Sequence, residues 1–209
     1  MASAPSAEWV YGVPSNPNPS IGVVGEGFCV PYPVDLMVEK KFTGLCHSHF
    51  DVLDLNGNLL LQVSGGFSNL QKKMILRDPN GFPILTMREK ALTLWQRWEA
   101  YRGESSDASN FLFSVQRSHP LQLKAELYVY LAGNFREDIC NFHVVGSCFS
   151  DSFRAYKGDT LIAEVRDKSK LESFICKGEE SFEVRVYPGV DYAFIVSLLV
   201  ILNGNHFLG

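Results

Sequence analysis

The chain has 209 residues, one domain's worth, and its 19 Lys and Arg against 23 Asp and Glu give a formal net charge of -4. With 46% hydrophobic and 20% charged residues, it has ordinary globular composition, which excludes collagen-like and wholly disordered chains. A chain this long buries enough surface to fold without a disulfide or metal staple, and its mild acidity argues against direct nucleic-acid binding, for which a basic domain is the rule.

Residues 1–33 hold six of the ten prolines, with Glu8 and Glu26 as the only charges. This composition predicts an irregular N-terminal arm that lies against the domain, anchored by Trp9, Val10 and Tyr11. No Lys or Arg precedes Lys40, so a signal or transit peptide is not expected. The expected location is cytoplasmic, with the plasma-membrane periphery and the nucleus as alternatives.

From Val34 the dominant signal is alternation. Leu123, Ala125, Leu127, Val129 and Leu131 alternate with Lys124, Glu126, Tyr128 and Tyr130, and Phe182, Val184 and Val186 alternate with Glu183 and Arg185. A period of two means strands with one buried face. Turn chemistry punctuates these runs. LDLNGNLL (53–60) and LRDPNGFPIL (76–85) each carry Asn-Gly, and RAYKGDTLIAEV (154–165) carries Gly158. Asn-Gly between apolar runs predicts hairpins with type I′ turns, in which both central residues take positive φ. Residues 102–110 read as a polar loop. About ten to twelve strands fit between Val34 and Tyr187.

Residues 193–202, AFIVSLLVIL, are apolar on every face. Ten residues cannot cross a bilayer, which takes about 20. Asp191 is a suitable N-cap and Asn203-Gly204 a stop, so the spacing predicts a helix near 191–203. A helix that is apolar all round must be buried all round. A closed antiparallel barrel of about eleven or more strands has room for one along its axis. The alternative is a two-sheet sandwich with the helix on one side.

Three strings, VLDLNGNLLLQVSG (52–65), LRDPNGFPILTMREK (76–90) and RWEAYRGES (97–105), resemble the plant LURP-one-related family, and the apolar C-terminal helix fits too. The resemblance spans 34–202. It implies a tubby C-terminal-like fold, mainly β: a barrel of about twelve strands around a central hydrophobic helix, forming one domain over 34–209. It also implies kinship with tubby proteins and phospholipid scramblases. From that follow a non-enzymatic role in phosphoinositide-linked membrane tethering, transcriptional roles and a plant-defence context. Scramblases place an acidic calcium stretch before the last strand. Here residues 178–181 read Gly-Glu-Glu-Ser without alternating aspartates, and two adjacent glutamates do not make a six-oxygen shell.

The five cysteines are widely spaced with no CxxC pair, which points to reduced thiols rather than zinc or disulfides. His47 and His49 would share a strand face, but no third ligand is evident. His143 reads as a strand histidine with an ordinary hydrogen bond. No cofactor is implied, and no nucleophile elbow, P-loop or dinucleotide fingerprint occurs. The charge distribution is uneven: residues 70–103 carry seven Lys and Arg against three Asp and Glu, net +4. The plain reading is solvated outer strand faces. The sharper one is an anion site built from Lys72, Lys73, Arg77, Arg88 and Lys90, with a phosphoinositide headgroup, membrane surface or protein as partner. The alternation rule puts Lys73 and Arg77 on one face of a strand, and Arg88 and Lys90 on one face of its hairpin neighbour. Lys72, at the strand start, can swing either way. Asp78 and Glu89 would oppose an anion if they pointed the same way. The competing functional classes are a protein-interaction domain without lipid binding and an enzyme with a site at the barrel mouth.

Overall fold

The computed structural model describes residues 20–42, 47–68, 71–90, 96–118, 124–147, 152–168 and 179–203. Twelve strands follow one another: β1 (Val34–Phe42), β2 (His47–Asp54), β3 (Leu59–Ser68), β4 (Gln71–Arg77), β5 (Pro83–Glu89), β6 (Arg97–Arg102), β7 (Phe111–Arg117), β8 (Lys124–Leu131), β9 (Phe142–Ser147), β10 (Phe153–Lys157), β11 (Thr160–Asp167) and β12 (Glu179–Val186). One helix, α1 (Tyr192–Asn203), ends the described chain. Each strand pairs antiparallel with its sequence neighbours, and β1 closes the ring on β12 with Val34 opposite Val186 and Lys41 opposite Glu179. The result is a closed barrel, and the sandwich is discarded.

The period-two pattern decides what points inward. Leu36, Val38, Phe50, Val52, Leu61, Val63, Leu127, Val129, Phe182 and Val184 are all at most 2% exposed. They pack around a helix whose residues from Ala193 to Asn203 are all buried. Phe194 meets Phe113 edge-on at 5.2 Å and Phe142 at 4.9 Å between ring centroids. Burial on every side is what an all-round apolar helix demands. Its one mid-helix hydroxyl, Ser197 Oγ, donates back to the Phe194 carbonyl at 2.6 Å, so no polar group is stranded there.

The Asn-Gly hairpins form where expected, but not as two-residue type I′ turns. Gly57 and Gly81 take positive φ (82° and 86°), whereas Asn56 and Asn80 do not. The reason is the aspartate that opens each turn. Asp54 Oδ1 accepts from the amides of Asn56 and Asn58, both at 2.8 Å. Asp78 Oδ1 accepts from those of Asn80 and Phe82, at 2.9 and 2.8 Å. These bonds favour a wider loop with a single left-handed residue, accompanied by register shifts at Val52/Leu53 and Leu76/Arg77.

Asp191 caps α1 by accepting from the Phe194 amide at 2.9 Å. Its other oxygen accepts from the amides of Val23, Val24 and Gly25 at 3.1, 2.7 and 3.0 Å. The segment ahead of β1 is thereby held across the end of the barrel where the helix begins, helped by the bridges Ile21–Val190 and Cys29–Asp191. Trp9, Val10 and Tyr11 lie outside the described residues.

Candidate functional site

The β4–β5 hairpin positions the predicted cations. In β4, Met74 and Leu76 are buried inward, which turns Lys73, Ile75 and Arg77 to the outer wall. In β5, Leu85 and Met87 point inward, which turns Thr86 and Arg88 outward. The register sets Lys73 directly opposite Arg88. Three of the five predicted residues, Lys73, Arg77 and Arg88, therefore share one outer face. Lys90, just past β5, is more than half exposed, and its Nζ lies 3.2 Å from Glu99. Lys72 is separated from the group: it has the parity of Met74, is 13% exposed, and its Nζ lies 4.0 Å from Glu89. That pairing also removes Glu89 from the outer face, while Asp78 is engaged by its own turn amides.

Two carboxylates stay on this face: Glu99 of β6, directly opposite Arg88 and bonded to Lys90 and Tyr101, and Glu104, which lies in the polar 103–110 loop. The Thr86 hydroxyl donates to the Gly103 carbonyl at 2.7 Å, and the Gly103 amide donates to Ile84 at 2.8 Å. These bonds fold the loop back over the outer wall, which explains why Thr86 is fully buried and Ile75 only 9% exposed despite facing outward. Lys73 Nζ then donates to Glu104 Oε1 at 3.0 Å. That bond, reinforced by the charges of Lys73, Arg77 and Arg88, holds the Glu104 carboxyl below the usual range. Arg77 Nη1 and Arg88 Nε are buried without a hydrogen-bond partner. Beside them, burial and a hydrogen bond to Glu99 push the Tyr101 phenol up, and the Arg88 charge opposes the shift. Arg102 is committed elsewhere, donating to the Val24 carbonyl at 2.9 Å.

Other candidates resolve differently. Glu180, from the calcium-like stretch, is taken by the buried Lys40, whose Nζ donates to it at 2.7 Å. His49 Nε2 lies 2.9 Å from Asp51, which also accepts from Lys41 and Gln62; the His47 side chain lies outside the described residues. His143 lies on a strand, β9, as expected, but without the expected hydrogen bond at Nε2. It stacks on Tyr128 with ring planes 3° apart. Among the described residues, no three His, Cys, Asp or Glu side chains gather in a way that could hold a metal. A groove of about 270 Å³ on the outer wall of β1, β12 and β11 is lined by Asp35, Met37, Leu55, Glu164, Arg166 and Arg185, among others. Its carboxylates are matched by cations: Asp35 with Arg185 at 2.7 and 3.0 Å, Glu164 with Arg154 at 2.9 Å, and Glu183 with Lys168. No helix among the described residues is long and apolar enough to cross a membrane.

The pattern of the LURP-one-related family matches residues 34–203, the whole span from β1 to the end of α1. Protein LURP-one-related 14 of Arabidopsis thaliana is 40% identical over 208 residues, covering 98% of each chain. Protein LURP-one-related 15 is 40% identical over 93% of this chain and 94% of its own. Protein LURP1 from the same plant is 39% identical over 86% of this chain and 87% of its own. The crystal structure of an Arabidopsis thaliana protein, 34% identical, superposes with a TM-score of 0.66 over 87% of this chain and 96% of that one. By pattern, by sequence and by barrel architecture, the chain belongs to the LURP-one-related family.

Proposed function

We propose that this barrel is a non-enzymatic recognition module whose outer β4–β5 face takes a multiply phosphorylated headgroup, with a phosphoinositide as the leading class. One observation carries the reading. Lys73, Arg77 and Arg88 surround a single loop carboxylate, yet Arg77 Nη1 and Arg88 Nε remain buried without acceptors. A buried donor left unmet is costly, and charge-assisted bonds to phosphate are the strong kind. A phosphate group brings the acceptors the two guanidiniums lack, and Glu104 occupies part of the place it would take. Each cation near an anionic surface contributes about 1 kcal/mol, so three give roughly a hundredfold enrichment at the membrane.

The test is liposome co-sedimentation with and without a phosphoinositide. Wild type should bind only the phosphoinositide vesicles and release them as salt rises, since exposed charges are screened over about 8 Å at physiological ionic strength. Lys73→Glu combined with Arg88→Glu should abolish binding. Glu104→Gln should strengthen it severalfold, because a competing carboxylate is gone. A parallel titration with a soluble inositol polyphosphate separates headgroup recognition from a need for the bilayer. Equal binding by the wild type and the double variant refutes the site. Absence of phosphoinositide binding by the wild type refutes the lipid reading.

A further inference from the structure

The second surface lies at the end of the barrel where α1 begins, and it rests on residues separate from the cation face. Among the described residues, the large apolar side chains left exposed are Tyr32 (61%), Leu55 (75%), Phe82 (69%), Phe135 (92%) and Ile139 (81%). Tyr32 precedes β1, Leu55 is in the β2–β3 turn, Phe82 in the β4–β5 turn, and Phe135 and Ile139 in the β8–β9 loop. Every one of these segments is at the same end, because an up-and-down barrel sends alternate connections to opposite ends. Adjacent strands are about 4.8 Å apart, so the Leu55 and Phe82 turns are roughly 10 Å apart, with Tyr32 beside them. The β8–β9 loop stands across the ring.

The tips are held in place. Asp54 and Asp78 each bind two turn amides. Asn134 ties the β8–β9 loop together through the Ile139 carbonyl and Asn141 Oδ1, at 2.8 and 2.9 Å. The segment clamped by Asp191 spans the ring between them. Exposed apolar groups on a fixed frame bind with little ordering cost.

Charge selects the occupant. The connections at this end, with the strand residues that lead into them, carry Glu26, Asp54, Asp78, Glu104, Asp107, Glu137, Asp138 and Asp159 against Arg77, Arg102, Arg136 and Lys157. Glu104 and Glu137 are answered by Lys73 and Arg97 on the wall, and the other six acids outnumber the four cations, which keeps this end negative. An anionic bilayer would be repelled, whereas a cationic partner with its own apolar stripe matches both features. We infer that this end of the barrel is a docking surface for a basic amphipathic protein segment, with Leu55, Phe82, Phe135 and Ile139 as its apolar anchors.

The test uses the full chain, isotopically labelled for NMR, and three synthetic peptides of about the same length: an amphipathic Leu/Lys helix, a Lys/Ser peptide of equal charge, and a Leu/Glu helix. The Leu/Lys peptide should bind saturably and shift the amides around Leu55, Phe82, Phe135 and Ile139. The other two should bind at least about tenfold more weakly. Phe82→Ser combined with Phe135→Ser, both at exposed positions and checked for an unchanged circular dichroism spectrum, should weaken the Leu/Lys peptide by about tenfold or more. Equal binding by the Lys/Ser peptide overturns the proposal, since charge alone would then suffice. So do shifts confined to the Lys73–Arg88 face, an unaffected double variant, or vesicles of neutral lipid shifting the same amides, which would make this end a membrane contact.

Discussion

Asp191 performs two structural tasks with one carboxylate. One oxygen caps α1 and the other gathers three consecutive amides of the chain ahead of β1. The cap was legible in the sequence because an aspartate before an apolar run is a local signal. The second task was not, since Val23 to Gly25 are more than 160 residues away along the chain. Asp191→Ala would strand four buried or half-buried amides, at about 1–3 kcal/mol for each one that finds no water. The expected result is a melting temperature lower by several degrees, together with fast hydrogen exchange at the amides of Val23, Val24 and Gly25 while those of β2 to β11 stay protected. Uniform loss of protection would mean that the arm and the barrel are a single cooperative unit. The cation site divides in the same way. Lys73 and Arg88 could be paired from the Asn-Gly turn between them. Glu104 could not, because a hydrogen bond from Thr86 to Gly103, invisible to periodicity, brings its loop to the wall.

At the scale of elements, the hairpins were legible in place but not in turn type. Asn-Gly signals where the chain reverses, but the preceding aspartates, by binding two amides each, decide how wide the reversal is. The β3–β4 pairing behind the cation face depends on Gly65. It sits opposite Met74, and a Cβ there would come within 2.1 Å of the Lys73 carbonyl and 2.7 Å of the Met74 Cα. Those are backbone atoms held in a ladder, so a neighbouring side chain cannot relieve the clash by rotating away. Gly65→Ala should cost about 1–3 kcal/mol, the usual range for overpacking, or roughly 2–4 °C per kcal/mol in a chain this size. It should also displace Lys73 from Arg88, so the proposed headgroup binding should weaken even at temperatures where the barrel is folded. Unchanged stability and binding in Gly65→Ala would show that the strands relax apart at no cost.

For the whole molecule, the helix and the barrel each solve a problem the other cannot. A sheet closed on twelve strands leaves an axial space too wide for its own side chains, and an all-round apolar helix has no solvent face to offer. The sequence carried part of this complementarity: strand count and helix polarity left two packings, a barrel and a two-sheet sandwich, and the family resemblance implied the barrel. What it did not carry was the polar lining of the barrel. Lys40 shares the parity of Leu36 and Val38 and enters the wall fully buried, met by Glu180, an exception that binary patterning does not anticipate. The interlocked design predicts that helix and barrel unfold together. Leu199 is fully buried in the middle of α1. Leu199→Ala should cost about 2–5 kcal/mol by transfer and cavity terms, lowering the melting temperature by roughly 5–20 °C in one transition, with strand and helix signals lost at the same midpoint. Leu199→Asp would place a charge among apolar side chains with no partner and should yield no folded protein. If the Ala variant instead lost its helical signal first, leaving a barrel with intact strand protection, the helix would be a passenger and the closed sheet would be stable with an empty centre.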